Sequence, residues 1–391
     1  MVRAGSVPAS ARGASSGADW TIAAAEAITN QMAVSEPPPR SGAALPKLVV
    51  SLLVGGGFAW LLRRGGMPLV PGAAAFAAVA WWAVPAAILT HVLAAYYRTC
   101  RWVYLLWPIA PRLSRARVLG IGFVGFTAIV LAPLRSGEVV RPYLLARDGE
   151  VTFAQGLGAT AVERIVDGLV VTVGLFVALA VATPLSPLPD HVGTLKLDLR
   201  LVQSAAYAAL ALFATAFAVL VAFYRMRAAA ARLVQLTLGR LSLRLASLAI
   251  EKVERLADGL RALPSRRHLV PFLQNTGVYY AVLVLGHWAV LRACGLPATL
   301  SETWVVLGVL SIAILVPAGP GFFGAYQLSI YCSLAMFFSE RLTLTSGAAF
   351  VFITYTAQLG VTLASCAVGF LLMASHPAAL AAAGVTGDSA K

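Results

Sequence analysis

The sequence is short of charge. Asp, Glu, Lys and Arg make up only 12% of its 391 residues, against 59% hydrophobic ones, where a soluble domain carries about 25% charged residues. Mean hydropathy is +0.82. So few polar side chains cannot cover a globule of this size, which excludes a water-soluble fold, and so much apolar surface excludes an intrinsically disordered chain. Negative charge is scarcest: 16 Asp+Glu face 30 Lys+Arg, a net +14. Cysteine is confined to Cys100, Cys294, Cys332 and Cys366, too far apart for a CxxC pair, a metal site or a disulfide framework. No Walker A motif, GxGxxG with a following acid, HExxH or GxSxG occurs, so ATP hydrolysis and soluble-type catalysis have no visible machinery. No cofactor or metal is expected. No basic-then-apolar leader opens the chain.

What the sequence does have is long apolar runs. A spanning helix needs roughly 20 apolar residues, and 44–62, 73–97, 157–182, 203–224, 270–293 and 345–373 qualify. Three more runs, 118–134, 303–317 and 322–338, are short or broken. The expected fold is an all-α polytopic integral membrane protein over 46–373, between an Ala/Ser/Gly/Pro-rich tail (1–45) and a second flexible tail (374–391).

The connecting segments set orientation. Ten Lys/Arg and three Asp/Glu fall between Arg225 and His268, with Leu233, Leu236, Leu241, Leu245 and Leu248 at helical spacing. The 225–269 stretch therefore reads as a basic amphipathic segment on the cytoplasmic leaflet. The Arg98–Arg117 segment, with five Arg and no acid, is cytoplasmic by the same positive-inside rule, and the neutral 183–202 segment is outside. Both termini are then cytoplasmic, as in a bacterial inner-membrane protein. In this arrangement 118–134 must enter and leave on one side, as a re-entrant element; its Gly120, Gly122, Gly125 and Pro133 suit that. The second half repeats the pattern with opposite sense, its break at Pro317–Gly321 echoing Pro133–Gly137, and His287 echoing His91. About six spans plus two re-entrant elements in an inverted repeat is a transporter architecture.

Polar chemistry concentrates in Arg135-Ser-Gly137-Glu138-Val-Val-Arg141 and Glu163-Arg164-x-x-Asp167. The second group sits about 15 Å into a helix of 1.5 Å rise per residue, and ionisable groups at that depth mark a pathway or site. Glu163 and Asp167 share a helix face, and Arg164 and Asp167 are spaced to pair. One reading is an anion site. Arg135, Arg141 and Arg164 present planar forks suited to phosphate, Gly137 admits the backbone, and the carboxylates orient the arginines, receive an ammonium group or carry a coupling proton. The other is a salt-bridge network pinning the loop, since these six charges sum to zero. The late loop Pro317-Ala-Gly319-Pro320-Gly321-Phe-Phe-Gly324 could hold an anion on backbone amides or act as a packing hinge. His91 and His287 read as buried structural histidines, and Trp81, Trp82, Tyr96, Tyr97, Trp102, Tyr104, Trp107, Tyr279 and Tyr280 as interfacial belt or helix packing.

At these residues the sequence resembles a known family: the flippase-like membrane domain of lysylphosphatidylglycerol synthetases (multiple peptide resistance factors) and their stand-alone relatives. Arg98-Thr-Cys-Arg101-Trp102 is similar to the family's Arg-x-x-Arg-Trp. Pro133 to Arg141 with Glu163-Arg164-Ile-Val-Asp167 is similar to its Gly-Glu-x-x-Arg and Glu-Arg-x-x-Asp signature, and Pro317 to Gly324 to its late loop. The family commonly has a carboxylate shortly after that loop; Gln327 stands here. The synthetases follow the membrane part with an aminoacyl-transferase domain, for which 391 residues leave no room. The resemblance thus implies the lipid-translocating half, not lipid lysylation.

The expectation is a non-enzymatic translocase. Its partners are membrane lipids: an anionic or aminoacylated phospholipid, or a polyprenyl-phosphate-linked lipid. The alternatives are a membrane-embedded transferase using Glu138, Glu163 or Asp167 as base, a membrane partner of a lipid- or glycan-modifying enzyme, and a small-solute transporter. Nucleic acid is not an expected partner, because the membrane already accounts for the basic residues.

Overall fold

A computed structural model of the chain describes residues 44–132, 137–147, 149–196, 198–225, 265–316 and 318–376. Arg135, Pro317, nearly all of the 225–269 amphipathic segment and almost all of both tails lie outside the described residues. Met1–Val49 and Val50–Lys391 form separate compact units. The first contributes only the opening residues of α1, and the packing below is that of the second.

The described helices are α1 (Ala44–Arg64), a single turn α2 (Ala73–Phe76), α3 (Ala83–Leu106), α4 (Arg115–Leu131), α5 (Val140–Arg147), α6 (Phe153–Val181), α7 (Arg200–Arg225), α8 (Arg266–Ala293), α9 (Leu300–Ala313), α10 (Ala325–Ala335), a single turn α11 (Glu340–Leu344) and α12 (Ser346–Ser375). A two-residue hairpin, His191–Val192 with Leu195–Lys196, joins α6 to α7. Five stretches are long and apolar enough to cross a bilayer: Pro46–Arg64, Phe153–Val181, Arg200–Ala222, Arg266–Ala293 and Glu340–Ser375. The chain is an all-α polytopic membrane protein.

The run expected at 73–97 does not form one helix. After α2 the chain turns, and the Ala80 amide donates to Ala293 O at the end of α8 (2.8 Å). The long helix starts only at Ala83, with Pro85 in its first turn, where a missing N–H costs nothing. It therefore continues to Leu106 and takes in Arg98 and Arg101, which the sequence assigns to a cytoplasmic loop.

Packing is antiparallel throughout. Along α3 and α8, Thr90 sits against Gly286, the rings of His91 and His287 are 5.3 Å apart, and Trp107 meets His268 at the far end (6.5 Å). Each of the two central histidines bonds through Nδ1 to the carbonyl four residues back, Ala87 and Leu283, at 2.8 Å. α4 runs against α12, with Thr127 Oγ1 donating to Thr362 O (3.0 Å) and Arg117 reaching Met373 O (2.6 Å). α6 runs against α9, with Trp304 on Gly174 and Leu175 on Gly308. These pairings are interchanged by a two-fold that swaps α3 with α8, α4 with α9 and α6 with α12, with the two histidines on its axis. Because α3 and α8 are antiparallel, that axis lies across the helices, as in an inverted repeat.

Both expected breaks fold the chain back on itself. Beyond Ala132, Gly137 lies against the Ala128 backbone and Arg141 against Gly125, so α5 returns along α4. The three glycines of α4 are not soft points in a broken element. α4 is a regular helix, and Gly120, Gly122 and Gly125 are notches for α12 (Gly369), α3 (Thr99) and the stem of Arg141. Small residues at such seams let helices in lipid approach closely, where packing rather than hydrophobicity drives association. The second break turns through positive φ at Gly321 (74°), Phe322 (58°) and Gly324 (89°), conformations that favour glycine. Gln327 Oε1 accepts from the Gly324 amide (2.7 Å) to start α10.

Candidate functional site

Three helices bring charge into the interior. α6 opens on a capping box, Thr152 Oγ1 accepting from the Gln155 amide and Gln155 Oε1 from the Thr152 amide. That start places Glu163, Arg164 and Asp167 near mid-membrane depth. α3 contributes Arg98, Arg101 and Trp102, one helical turn apart and so on one face. The returning segment contributes Glu138 and then Arg141, on α5.

Arg101 is the hub. It is fully buried and grips Asp167 with two bonds, Nη1 to Oδ1 at 2.5 Å and Nη2 to Oδ2 at 2.6 Å. Nη2 also donates to Glu163 Oε1 at 3.0 Å. From α8, Thr276 Oγ1 lies 3.4 Å from Nη1 and Tyr279 faces the guanidinium. Glu163 and Asp167 thus share a face, as their spacing predicts. The expected Arg164–Asp167 pair is not made: Arg164 turns to Glu138 instead, Nε and Nη2 both donating to Oε2 at 3.1 and 3.0 Å, in a partly exposed pair.

Arg141 is held differently. It is buried among aromatics, its guanidinium 4.3 Å from the Phe126 ring centre and 4.7 Å from that of Trp102. Its Nη1 stands 2.7 Å from Glu163 Oε2, yet the approach is too bent for a hydrogen bond, and none of its three nitrogens has an acceptor. We therefore treat this as a charge contact. Arg98 lies on the other side of Phe126, 3.9 Å from its ring centre, with a buried Nε that also lacks an acceptor, as does the indole N–H of Trp102. Buried N–H donors are almost always satisfied. A set of them converging around one ring, with two cations, is a site short of an anion.

Charge counting agrees. Among the described residues of the cluster, four arginines (Arg98, Arg101, Arg141, Arg164) face three carboxylates (Glu138, Glu163, Asp167). Arg164 offsets Glu138, and Arg101 with Arg141 offsets Glu163 and Asp167. Arg98 is left over. The balanced network suggested by the sequence was balanced only because Arg98 and Arg101 were counted elsewhere.

Other expected site residues fall outside this centre. Gly137 makes its close approach to the Ala128 backbone, so it serves the turn and not a ligand. Gly319, Pro320, Gly321 and Gly324 form the late turn. Gly319 packs on Gly55 of α1, Gly324 on Phe58, and the Ser51 hydroxyl donates to Ala318 O (3.1 Å). Among the described residues no hydrogen bond or ion pair joins this turn to the charge cluster, and its geometry is that of a packing hinge. Sequence reasoning missed Arg98, Arg101 and Trp102 as site residues. The Arg-x-x-Arg-Trp spacing was the available signal, read instead as loop charge and belt aromatic.

A family model described as the lysylphosphatidylglycerol synthase TM region matches residues 48–364. No curated protein and no solved structure matches the chain.

Proposed function

The chain belongs to the family of the lysylphosphatidylglycerol synthase TM region, and from that premise we propose that it is a lipid translocase whose interior cluster receives the phosphate of an anionic phospholipid headgroup. One observation carries the reading: the acceptor-less donors of Arg98, Arg141 and Trp102 around Phe126, with one positive charge in surplus. A phosphodiester brings one negative charge and several acceptor oxygens. Arginine forks suit it better than any other side chain, and water-poor surroundings strengthen each contact. Glu163 and Asp167 are engaged by Arg101, which supports binding over general-base catalysis. The inverted repeat supplies the means of movement, one half rocking against the other across the α3–α8 seam.

The test is lipid movement in sealed proteoliposomes, with head-labelled phosphatidylglycerol, its lysylated form and a short polyprenyl phosphate. Wild type is expected to move at least one of them, and Arg141→Leu to slow that movement at least tenfold while remaining folded. Folded wild type that moves none of the three overturns the proposal.

A further inference from the structure

Beside the charge cluster runs an open apolar groove of about 970 Å³, walled by Ile88 and Val92 of α3, Phe123 of α4, and Phe352, Gly360 and Val368 of α12. From Phe352 to Val368 it extends about 24 Å along α12, at 1.5 Å per residue. One leaflet of hydrocarbon is only about 15 Å deep, half of a core of roughly 30 Å. The groove is therefore continuous past the midplane. Its polar wall offers nothing to a polar ligand: the Thr356 hydroxyl is spent on Phe352 O (2.7 Å).

The groove leads to the cationic site. Ala95 and Phe123 line it, and one helical turn further along the same faces stand Arg98 and Phe126, the residue and ring around which the acceptor-less donors gather. In the other half of the repeat the equivalent seam, between α8 and α6, is closed. Tyr280 and Trp304 pack there with ring centres 6.1 Å apart, Trp304 is wedged on Gly174, and the Tyr280 hydroxyl donates to Asp167 O (3.4 Å). The open groove is thus a feature of one half only, and it is the half whose end is cationic.

We infer that the α3–α12 groove is the track for an acyl chain of the same lipid whose phosphate Arg98 and Arg141 bind, so that the substrate is a phosphoglycerolipid held at both head and tail. The inference rests on the reading of those arginines as a headgroup site. It assigns the groove to one occupant, the transported lipid, and distinguishes it from a face merely wetted by bulk lipid, because occupancy must depend on the arginines some distance from its far end.

Gly360 provides a clean probe. A side chain there meets nothing within 4 Å, so Gly360→Trp fills the groove without disturbing a seam; Gly57→Trp, equally free of neighbours on α1, is the control. Movement of labelled phosphatidylglycerol in proteoliposomes is expected to fall at least tenfold in Gly360→Trp and to stay unchanged in Gly57→Trp. In parallel, phosphatidylglycerol with a photoactivatable chain should label the Phe352–Val368 stretch of α12. That label should fall at least fivefold in Gly360→Trp and also in Arg141→Leu. Full-speed movement in Gly360→Trp, or groove labelling indifferent to Arg141→Leu, overturns the inference. Wild type that moves no lipid overturns the translocase reading alone; the arginine dependence of the label then decides the groove independently.

Discussion

Arg101 and Arg141 are both fully buried, and removing them should have opposite consequences. Arg101 satisfies two carboxylates with well-directed bonds, so Arg101→Leu leaves Glu163 and Asp167 buried and uncompensated, a loss of about 3–5 kcal/mol. Arg141 makes no hydrogen bond, and Glu163 keeps its bond to Arg101 without it. Arg141→Leu, packed on Trp102 and Phe126, should lower stability by no more than about 1 kcal/mol, within the range of tolerated buried substitutions, while abolishing lipid movement. Thermal unfolding of the two variants in one detergent checks the contrast; equal destabilisation would make Arg141 a structural residue. Arg141→Lys should restore little, because an ammonium lacks the planar fork.

At the scale of elements, stability resides in glycine seams. A Cβ on Gly120 would stand 2.9 Å from Gly369 O, a backbone atom that cannot step aside. Gly120→Ala should therefore part α4 from α12 and destabilise by about 1–3 kcal/mol, as overpacking does. Gly56→Ala meets nothing and should be neutral, or stabilising by up to about 1 kcal/mol from helix propensity. Unfolding temperatures of the pair test this, and a neutral Gly120→Ala would refute the seam. The apolar runs made most helices legible in the sequence, because length and hydropathy suffice in a bilayer. α3 was not legible at either end. Its start depends on a turn tied to Ala293 of α8, and its last turns contain arginines that look like loop until α6 brings their counterions alongside.

For the whole molecule, the inverted repeat follows from pairings no single element contains: α3 with α8, α4 with α12, α6 with α9. It carries a topological prediction. In a background lacking the four native cysteines, Lys196→Cys on the α6–α7 hairpin should react with an impermeant maleimide from outside, and Arg147→Cys at the end of α5 only from the cytoplasm. Both side chains are exposed. Labelling of Arg147→Cys from outside would undo the fold-back of α4 and α5 as an element that enters and leaves on one side.

By itself the sequence determined the solvent, the helical class, the approximate spans, the two breaks and the region where charge enters the membrane. Each depends on composition or on spacing within one segment, where period and hydropathy act locally. Only the tertiary structure decided the partners of the charges. Asp167 and Glu163 lie 66 and 62 residues from Arg101, and pairing at that distance is set by which helices pack, not by spacing. The same packing turned Arg164 toward Glu138, placed Trp102 inside, and left Arg98 and Arg141 with donors to spare. The surplus that defines the site is a property of the assembled helices, because an unpaired charge can be recognised only after every other charge has found its partner.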